Sequence, residues 1–221
     1  MKVEYVDHLG NDLTVVNSAR VSFDKEASNY SEEKNNKLIK YLADHNHITP
    51  FTHPQITVRE TVPIFVARQR FKHVVGFTYN EISRRYVDDE PEFYVPDVWR
   101  SRPDGSVKQG SGDTFEGYLY TEEREGVDTP PEDVYKYFLD DCLYVYNRMI
   151  EQGIAPEQAR MVLPQSMMTS YYVTGSLAAF ARSYKQRIDS HSQKEIQDLA
   201  KQWDEIIRPL YPESWKALVE H

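Results

Sequence analysis

Alternation between apolar and polar positions predicts where the strands of this chain lie. Over residues 3–21 the alternation indicates two short strands, joined by a turn at residues 10–12. A further strand is predicted by the alternating positions Ile56, Val58, Glu60 and Val62. Residues 92–96, EFYVP, predict another short strand, and the turn-rich stretch over residues 100–128 is expected to be an exposed excursion.

Helical spacing of apolar positions predicts two helices in the first half of the chain. After Ser31, a suitable N-cap, this spacing indicates a helix that ends near His45. Pro63 suits the first turn of a second helix, which should run through residues 64–73 until Gly76 breaks it. On that helix the polar residues at spacings of three and four should share one face, and they are Gln69, Lys72 and His73.

Proline, glycine and serine residues divide the second half of the chain into four helical segments. A long helix is expected from Thr129 to Gly153 and a short one from Pro156 to the vicinity of Pro164. A third helical segment, capped by Ser176, carries Arg182, and the last helix should run from about residue 190 to Pro209. No long linker divides the 221 residues, so we expect one domain over residues 1–221.

The distribution of charge indicates a site for a small anion. The chain has 26 Lys and Arg against 35 Asp and Glu, a net charge of -9, yet residues 68–86 contain five cationic side chains and a single carboxylate, Glu81. Such a cluster attracts small anions while the whole molecule repels polyanions, which favours a mononucleotide over nucleic acid. A solvated surface is the alternative, but the cations are interleaved with apolar residues and therefore need partners.

A second set of arginines lies further along the chain in segments rich in apolar and small residues. Its members are Arg160, Arg182 and Arg187. Surface ion pairs with nearby acids such as Asp189 are the alternative for each of them. If both cationic regions converge on one ligand, one of them can hold a phosphate while the other stabilises charge that develops on a ring.

Several classes of protein are disfavoured by the sequence. No apolar run approaches the roughly 20 residues that span a bilayer, and the first residues lack the apolar core of a secretion signal, so we expect a cytoplasmic protein without membrane contact. We expect no metal site, because His45, His47 and His53 have no neighbouring acid or cysteine at a recognised spacing. The single cysteine, Cys142, is interpreted as a core thiol rather than a nucleophile.

Residues 63–86, PIFVARQRFKHVVGFTYNEISRRY, resemble the signature region of the flavin-dependent thymidylate synthases, in which Arg-His-Arg and a spacer precede N-E-x-S-x-R-Y. Further segments resemble that family in the same order; they are ARVSF, H-x-T-P-F-x-H, EFYVP, ARMVLP and RIDSHSQKEI. The chain has Lys72, His73 and Val74 where the family has Arg-His-Arg, and its spacer is one residue longer. Arg84 stands where many relatives have a small residue.

The resemblance implies a fold, an assembly and two sets of ligand contacts. The fold is α+β, with a mixed or antiparallel sheet flanked by long helices, and the assembly is a homotetramer with active sites shared between subunits. The implied dUMP contacts are Gln69, Arg70, Lys72, Glu81, Ile82, Ser83, Arg84, Arg85, Arg160 and Arg187. The implied FAD contacts are Thr49, Lys72, His73, Val74, Asn80, Glu81, Ser176 and Arg182.

The reaction that the resemblance implies is reductive methylation of dUMP to dTMP, with FAD as cofactor and 5,10-methylenetetrahydrofolate and NADPH as co-substrates. Arg187 matches the family arginine that contacts the uracil and is the expected catalytic residue. Two alternatives stay open. One is a nucleotide-binding homologue with a weakened flavin site, and the other is a binder of single-stranded nucleic acid that stacks bases on its aromatic residues. The acidic composition argues against the second alternative.

Overall fold

The computed structural model describes residues 1–87, 89–103, 110–120 and 128–220. Within these ranges the strands are β1 (Lys2–Leu9), β2 (Gln55–Pro63), β3 (Phe77–Glu81), β4 (Leu119–Tyr120), β5 (Asp128–Thr129) and β6 (Met168–Ser176). The helices are α1 (Asp12–Arg20), α2 (Glu32–Asp44), α3 (Ile64–Arg70), α4 (Pro131–Glu151), α5 (Pro156–Ala159), α6 (Leu177–Arg187), α7 (Lys194–Leu210) and α8 (Pro212–Val219). Short 3-10 turns lie at Val21–Phe23, Ala27–Asn29, Thr49–Thr52 and Arg160–Val162.

A four-stranded sheet has the order β1-β2-β6-β3, and β4 pairs with β5 separately. Strands β1 and β2 are antiparallel, with Val3 opposite Glu60 and His8 opposite Ile56. The predicted α+β class with an antiparallel sheet and helices is therefore confirmed, whereas the homotetramer stays a prediction. No helix of the described residues is long and apolar enough to cross a membrane.

The chain forms two compact units. The first contains Met1–Thr61, Arg68–Asn80 and residues 170–220, and the second contains Val62–Ala67 and the described part of Glu81–Thr169. The core of the first unit depends on α7, where residues three and four apart place one apolar stripe out of contact with water. That stripe consists of Ile196, Leu199, Ala200, Trp203 and Ile207. The predicted single domain over residues 1–221 stays a prediction.

Most of the predicted helices and the strand at residues 56–62 are confirmed. Helix α2 follows Ser31 and ends before His45, and α4 ends two residues before Gly153, which has the positive φ typical of glycine at a helix end. In β2 the alternating positions are fully buried. Ser176 caps α6 by accepting a hydrogen bond from the backbone of Ala179. The predicted short helix near Pro156 is α5.

The second predicted strand in residues 3–21 is wrong, because the chain forms α1 there. Asn11 caps this helix: its side chain accepts from the backbone N–H of Leu13, and Thr14 Oγ1 accepts from the backbone N–H of Asn11. The helix buries Val15 and Val16, which lie in the stretch whose alternation predicted a strand.

Three other boundaries differ from the predictions. Helix α3 ends at Arg70, so the expected helical face with Lys72 and His73 does not form; Lys72 is exposed and His73 is buried. Helix α7 begins at Lys194 and keeps Pro209 in its last turn. The segment EFYVP contributes only a bridge between Phe93 and Met167. In the expected excursion, residues 104–109 and 121–127 lie outside the described residues.

Candidate active site

Helix α6 and the segment that follows α3 bring predicted site residues together in the first unit. Arg187, the last residue of α6, donates a hydrogen bond from Nε to Nε2 of His73 over 2.8 Å. Arg182, five residues earlier on α6, donates from Nη2 to the backbone carbonyl of Val75. Two arginines of one helix are thus attached to two residues of the same short segment.

Glycines at residues 76 and 175 allow this segment to lie directly against the start of α6. Gly76 has φ of +79°, and a Cβ added there would lie 2.9 Å from the Cβ of Ala179. Its carbonyl accepts from the backbone N–H of Ser176 over 3.1 Å. At Gly175 an added Cβ would lie 2.3 Å from the ring of Phe77, so the two backbones approach too closely for a side chain. The sequence therefore permits a contact that places His73 beside Arg187 and Val75 beside Arg182.

The environment keeps His73 neutral. Burial, followed by the charges of Arg187, Arg70 and Arg182, lowers the pKa of His73 to about 4. Because an arginine only donates, the Nε2 atom that faces Arg187 must carry the lone pair, which leaves the ring proton on Nδ1. Burial and the charge of Arg70 also lower the pKa of Arg187 from its usual value.

Arg70 is enclosed in the core of the first unit. Its Nε lies 3.2 Å from both carboxylate oxygens of Glu60, and neither side chain has exposed surface. Glu60 also accepts from the Tyr171 hydroxyl at 2.6 Å and from Trp203 Nε1 at 2.9 Å. Four rings surround the guanidinium, those of Phe77, Trp203, Tyr79 and Phe180, with centroids 4.3 to 5.5 Å from Cζ.

Tyr79 connects the buried Arg70 to the segment that carries His73 through two hydrogen bonds. Arg70 Nη1 donates to the Tyr79 hydroxyl over 2.8 Å, and that hydroxyl donates to the backbone carbonyl of His73 over 2.7 Å. Burial raises the pKa of Tyr79 to about 12 and raises the pKa of Tyr171 well above its usual value, so both phenols remain donors at neutral pH. Although predicted as a dUMP contact, Arg70 is positioned to hold the segment.

The side chain of Gln69 is oriented by a chain of hydrogen bonds. Gln193 donates from Nε2 to the carboxylate of Glu195 over 2.8 Å, and its Oε1 accepts from Gln69 Nε2. Because the Glu195 oxygen accepts from the Gln193 amide nitrogen, the Gln193 oxygen faces Gln69 and the Gln69 amide nitrogen donates to it. The amide oxygen of Gln69 is consequently the atom that faces away from this chain of bonds.

The remaining predicted FAD contacts in the first unit differ in their surroundings. Thr49, Lys72 and Asn80 are exposed, whereas Ser176 is buried and its hydroxyl caps α6. Val74 and its neighbour Val75 have exposed side chains, at 66% and 68% of their surface.

Six predicted contacts lie in the second unit; they are Glu81, Ile82, Ser83, Arg84, Arg85 and Arg160. Glu81 accepts from Thr169 Oγ1 over 2.6 Å. Arg84 donates to the Asp89 carbonyl, and Arg85 donates to the Tyr86 hydroxyl. These arginines follow the end of β3 in a turn, where Ser83 accepts from the backbone N–H of Tyr86.

Sequence reasoning missed four residues of the first unit that organise this region: Glu60, Tyr171, Trp203 and Gln193. One signal was present, since Glu60 is a charged residue at an apolar position of an alternating strand, and a buried charge requires partners. Cys142, interpreted as a core thiol, is only partly buried, and burial and the charge of Asp141 raise its pKa. In the part of the chain that the structure describes, no group of three His, Cys, Asp or Glu residues is placed to hold a metal ion.

Comparisons with known proteins cover nearly the whole chain. The family model described as thymidylate synthase complementing protein matches residues 4–213. A flavin-dependent thymidylate synthase from Thermosipho melanesiensis is 35% identical over 215 residues, which cover 97% of this chain and 89% of that protein. Another, from Thermotoga neapolitana, is 34% identical over 222 residues, which cover 99% and 91%.

A solved structure is similar over the same extent. The crystal structure of a UMP/dUMP methylase, PolB, from Streptomyces cacaoi bound with 5-Br dUMP has a TM-score of 0.82 to this chain and 30% sequence identity. The similarity covers 99% of this chain and 94% of that one.

Proposed function

The chain belongs to the thymidylate synthase complementing protein family, and we propose that it converts dUMP to dTMP by reductive methylation, as a flavin-dependent thymidylate synthase. The proposed cofactor is FAD, and the proposed co-substrates are 5,10-methylenetetrahydrofolate and NADPH. The observation that carries this proposal is the similarity over 97% of the chain to enzymes of that name, because the matched residues include every predicted contact.

The residues of the first unit fit a flavin dinucleotide. Lys72 is exposed and Arg182 lies on the exposed side of α6, so both cations are accessible to a pyrophosphate. The exposed side chains of Val74 and Val75 offer an apolar surface to a flat ring, and they are flanked by His73. When bound, a reduced flavin supplies the hydride that this reaction requires.

Arg187 is the proposed catalytic residue. Its Nε is occupied by His73, whereas Nη1 and Nη2 have no recorded partner among the described residues. A guanidinium fork presents two parallel donors, which suit the adjacent oxygen and nitrogen atoms of a uracil ring that gains negative charge. We propose that Arg187 stabilises this charge while the other proposed dUMP contacts hold the nucleotide in place.

The nucleotide contacts are proposed by position. Arg85, Arg160 and Ser83 are the proposed phosphate ligands, and the amide oxygen of Gln69 is available to accept from a hydroxyl or an imide N–H. The other proposed dUMP contacts are Arg70, Lys72, Glu81, Ile82 and Arg84, with Arg70 acting through the segment that it anchors. Thr49, Asn80, Glu81 and Ser176 complete the proposed FAD set. We further propose a homotetramer whose subunits share active sites.

The test is a spectrum followed by an assay. Purified protein should show the absorbance bands of bound flavin and should form dTMP from dUMP when the folate and NADPH are supplied. Arg187→Ala should retain flavin and lose most dTMP formation, whereas Arg148→Ala, which removes an exposed arginine paired with Glu151, should retain activity. Equal activity of Arg187→Ala and wild type would exclude the proposed role.

A second candidate function is a nucleotide-binding homologue with a weakened flavin site, which the replacement of two family arginines by Lys72 and Val74 favours. A colourless protein that binds dUMP yet forms no dTMP with added FAD would support that function instead. UMP should be tested beside dUMP, because the similar solved structure is of a UMP/dUMP methylase. The ratio of kcat/KM values for the two nucleotides would show which of them is the substrate.

A further inference from the structure

The contact between His73 and Arg187 restricts the orientation of the arginine. Arg187 ends α6, and a residue at a helix end with a long side chain has considerable rotamer freedom unless it is held. The 2.8 Å hydrogen bond from Nε fixes one donor of the planar guanidinium against His73. Nη1 and Nη2 lie in the same plane at the end of the group, where they present two parallel donors.

We propose that His73 is a positioning residue for Arg187, which it orients by accepting a hydrogen bond from Nε so that both terminal nitrogens face a planar anionic acceptor. The identification of this acceptor as the pyrimidine of dUMP depends on the proposed function. The hydrogen bond between His73 and Arg187 does not depend on the proposed function. The family resemblance implies that His73 contacts FAD, whereas in the structure its Nε2 atom accepts a hydrogen bond from Arg187.

The charged groups around His73 explain why the imidazole can accept this bond. Arg187 and Arg182 approach it from α6, and Arg70 approaches it from α3. The backbone of His73 is held by the Tyr79 hydroxyl, which comes from β3. All three charges are positive, so they disfavour an imidazolium, which would have no lone pair and would repel Arg187. A glutamine at this position can supply an acceptor oxygen, whereas a leucine cannot.

Steady-state kinetics provides the first test. At saturating FAD, with flavin content measured by absorbance, His73→Leu should lower kcat by about 100-fold, as expected for a misplaced catalytic group. His73→Gln should recover to within about tenfold of wild type, a difference of about 1.4 kcal/mol in the barrier. His8→Leu, which removes an exposed histidine of β1, should leave kcat unchanged.

A double-mutant cycle shows whether His73 acts through Arg187. In the Arg187→Ala background, His73→Leu should cause little further loss, because the group that it orients is already absent. Losses that multiply in the double variant, or a glutamine variant as impaired as the leucine variant, would overturn the proposal.

Nuclear magnetic resonance of the wild-type protein provides a second test that needs no active variant. With ¹⁵N-labelled histidine in the ligand-free protein at pH 7, His73 should carry its proton on Nδ1, and its signals are identified by their loss in His73→Gln. An imidazolium, or a proton on Nε2, would refute the proposal. If the expected tautomer is found but the protein forms no dTMP, the proposed function fails and the positioning contact stands.

Discussion

Replacing Arg70 with methionine should destabilise the fold by about 3–5 kcal/mol, because it leaves the carboxylate of Glu60 buried without a counter-charge. Arg70 and Glu60 have no exposed side-chain surface. The change removes the Nε donor that both Glu60 oxygens share and the Nη1 donor to Tyr79, and bonds that involve a charged group contribute about 1.5–3 kcal/mol each. Tyr171 and Trp203 still donate to the carboxylate, which limits the loss to this range.

Urea unfolding at one protein concentration measures this loss. With a slope of about 2 kcal/mol per molar, the midpoint should fall by roughly 2 M. The control is Lys37→Met, which breaks an exposed pair with Glu33 and should cost less than about 1 kcal/mol. Arg70→Met combined with Glu60→Gln should be more stable than the two single losses predict, by about 1–3 kcal/mol. The reasoning is refuted if Arg70→Met shifts the midpoint no more than the control.

Two further outcomes are expected. The pKa of His73 is about 4 in the folded protein, against an ordinary value of 6.5. As the pH falls, the unfolded chain therefore binds the proton first, and His73 should lower the free energy of unfolding by up to about 3 kcal/mol between pH 6.5 and 4. Urea midpoints at pH 7 and 4.5 should therefore differ less in His73→Gln than in wild type, and an equal difference would contradict the assignment. Gly175→Ala should lower stability by about 1–3 kcal/mol, because its methyl group would overlap the Phe77 ring, and an unchanged melting temperature would show that the ring moves freely.

Local signals in the sequence were sufficient where an element depends on its own residues. Ser176 begins α6 because its hydroxyl caps the helix, and Pro156 suits a first helical turn. Ser31 occupies the N-cap position of α2, although its side chain makes no capping hydrogen bond. The alternation in β2 survives because one face of that strand is fully buried.

Local signals failed where the outcome depends on partners far along the chain. Strand β6 was not predicted, although Thr169, Tyr171 and Val173 alternate as buried positions. The error at residues 12–20 has a different cause: alternation predicted a strand there, whereas the cap at Asn11, which is a local signal, starts a helix. The neutral state of His73 depends on its burial and then on arginines of two helices, and no spacing within its own segment reveals them.

The enclosed pair of Glu60 and Arg70 constrains how this protein can diverge. Replacing either residue alone leaves the other charge buried without its partner. Single substitutions at one of the two positions should therefore be selected against. Across homologous genes the two codons should therefore covary, keeping both charges or losing both, even where the surrounding residues vary.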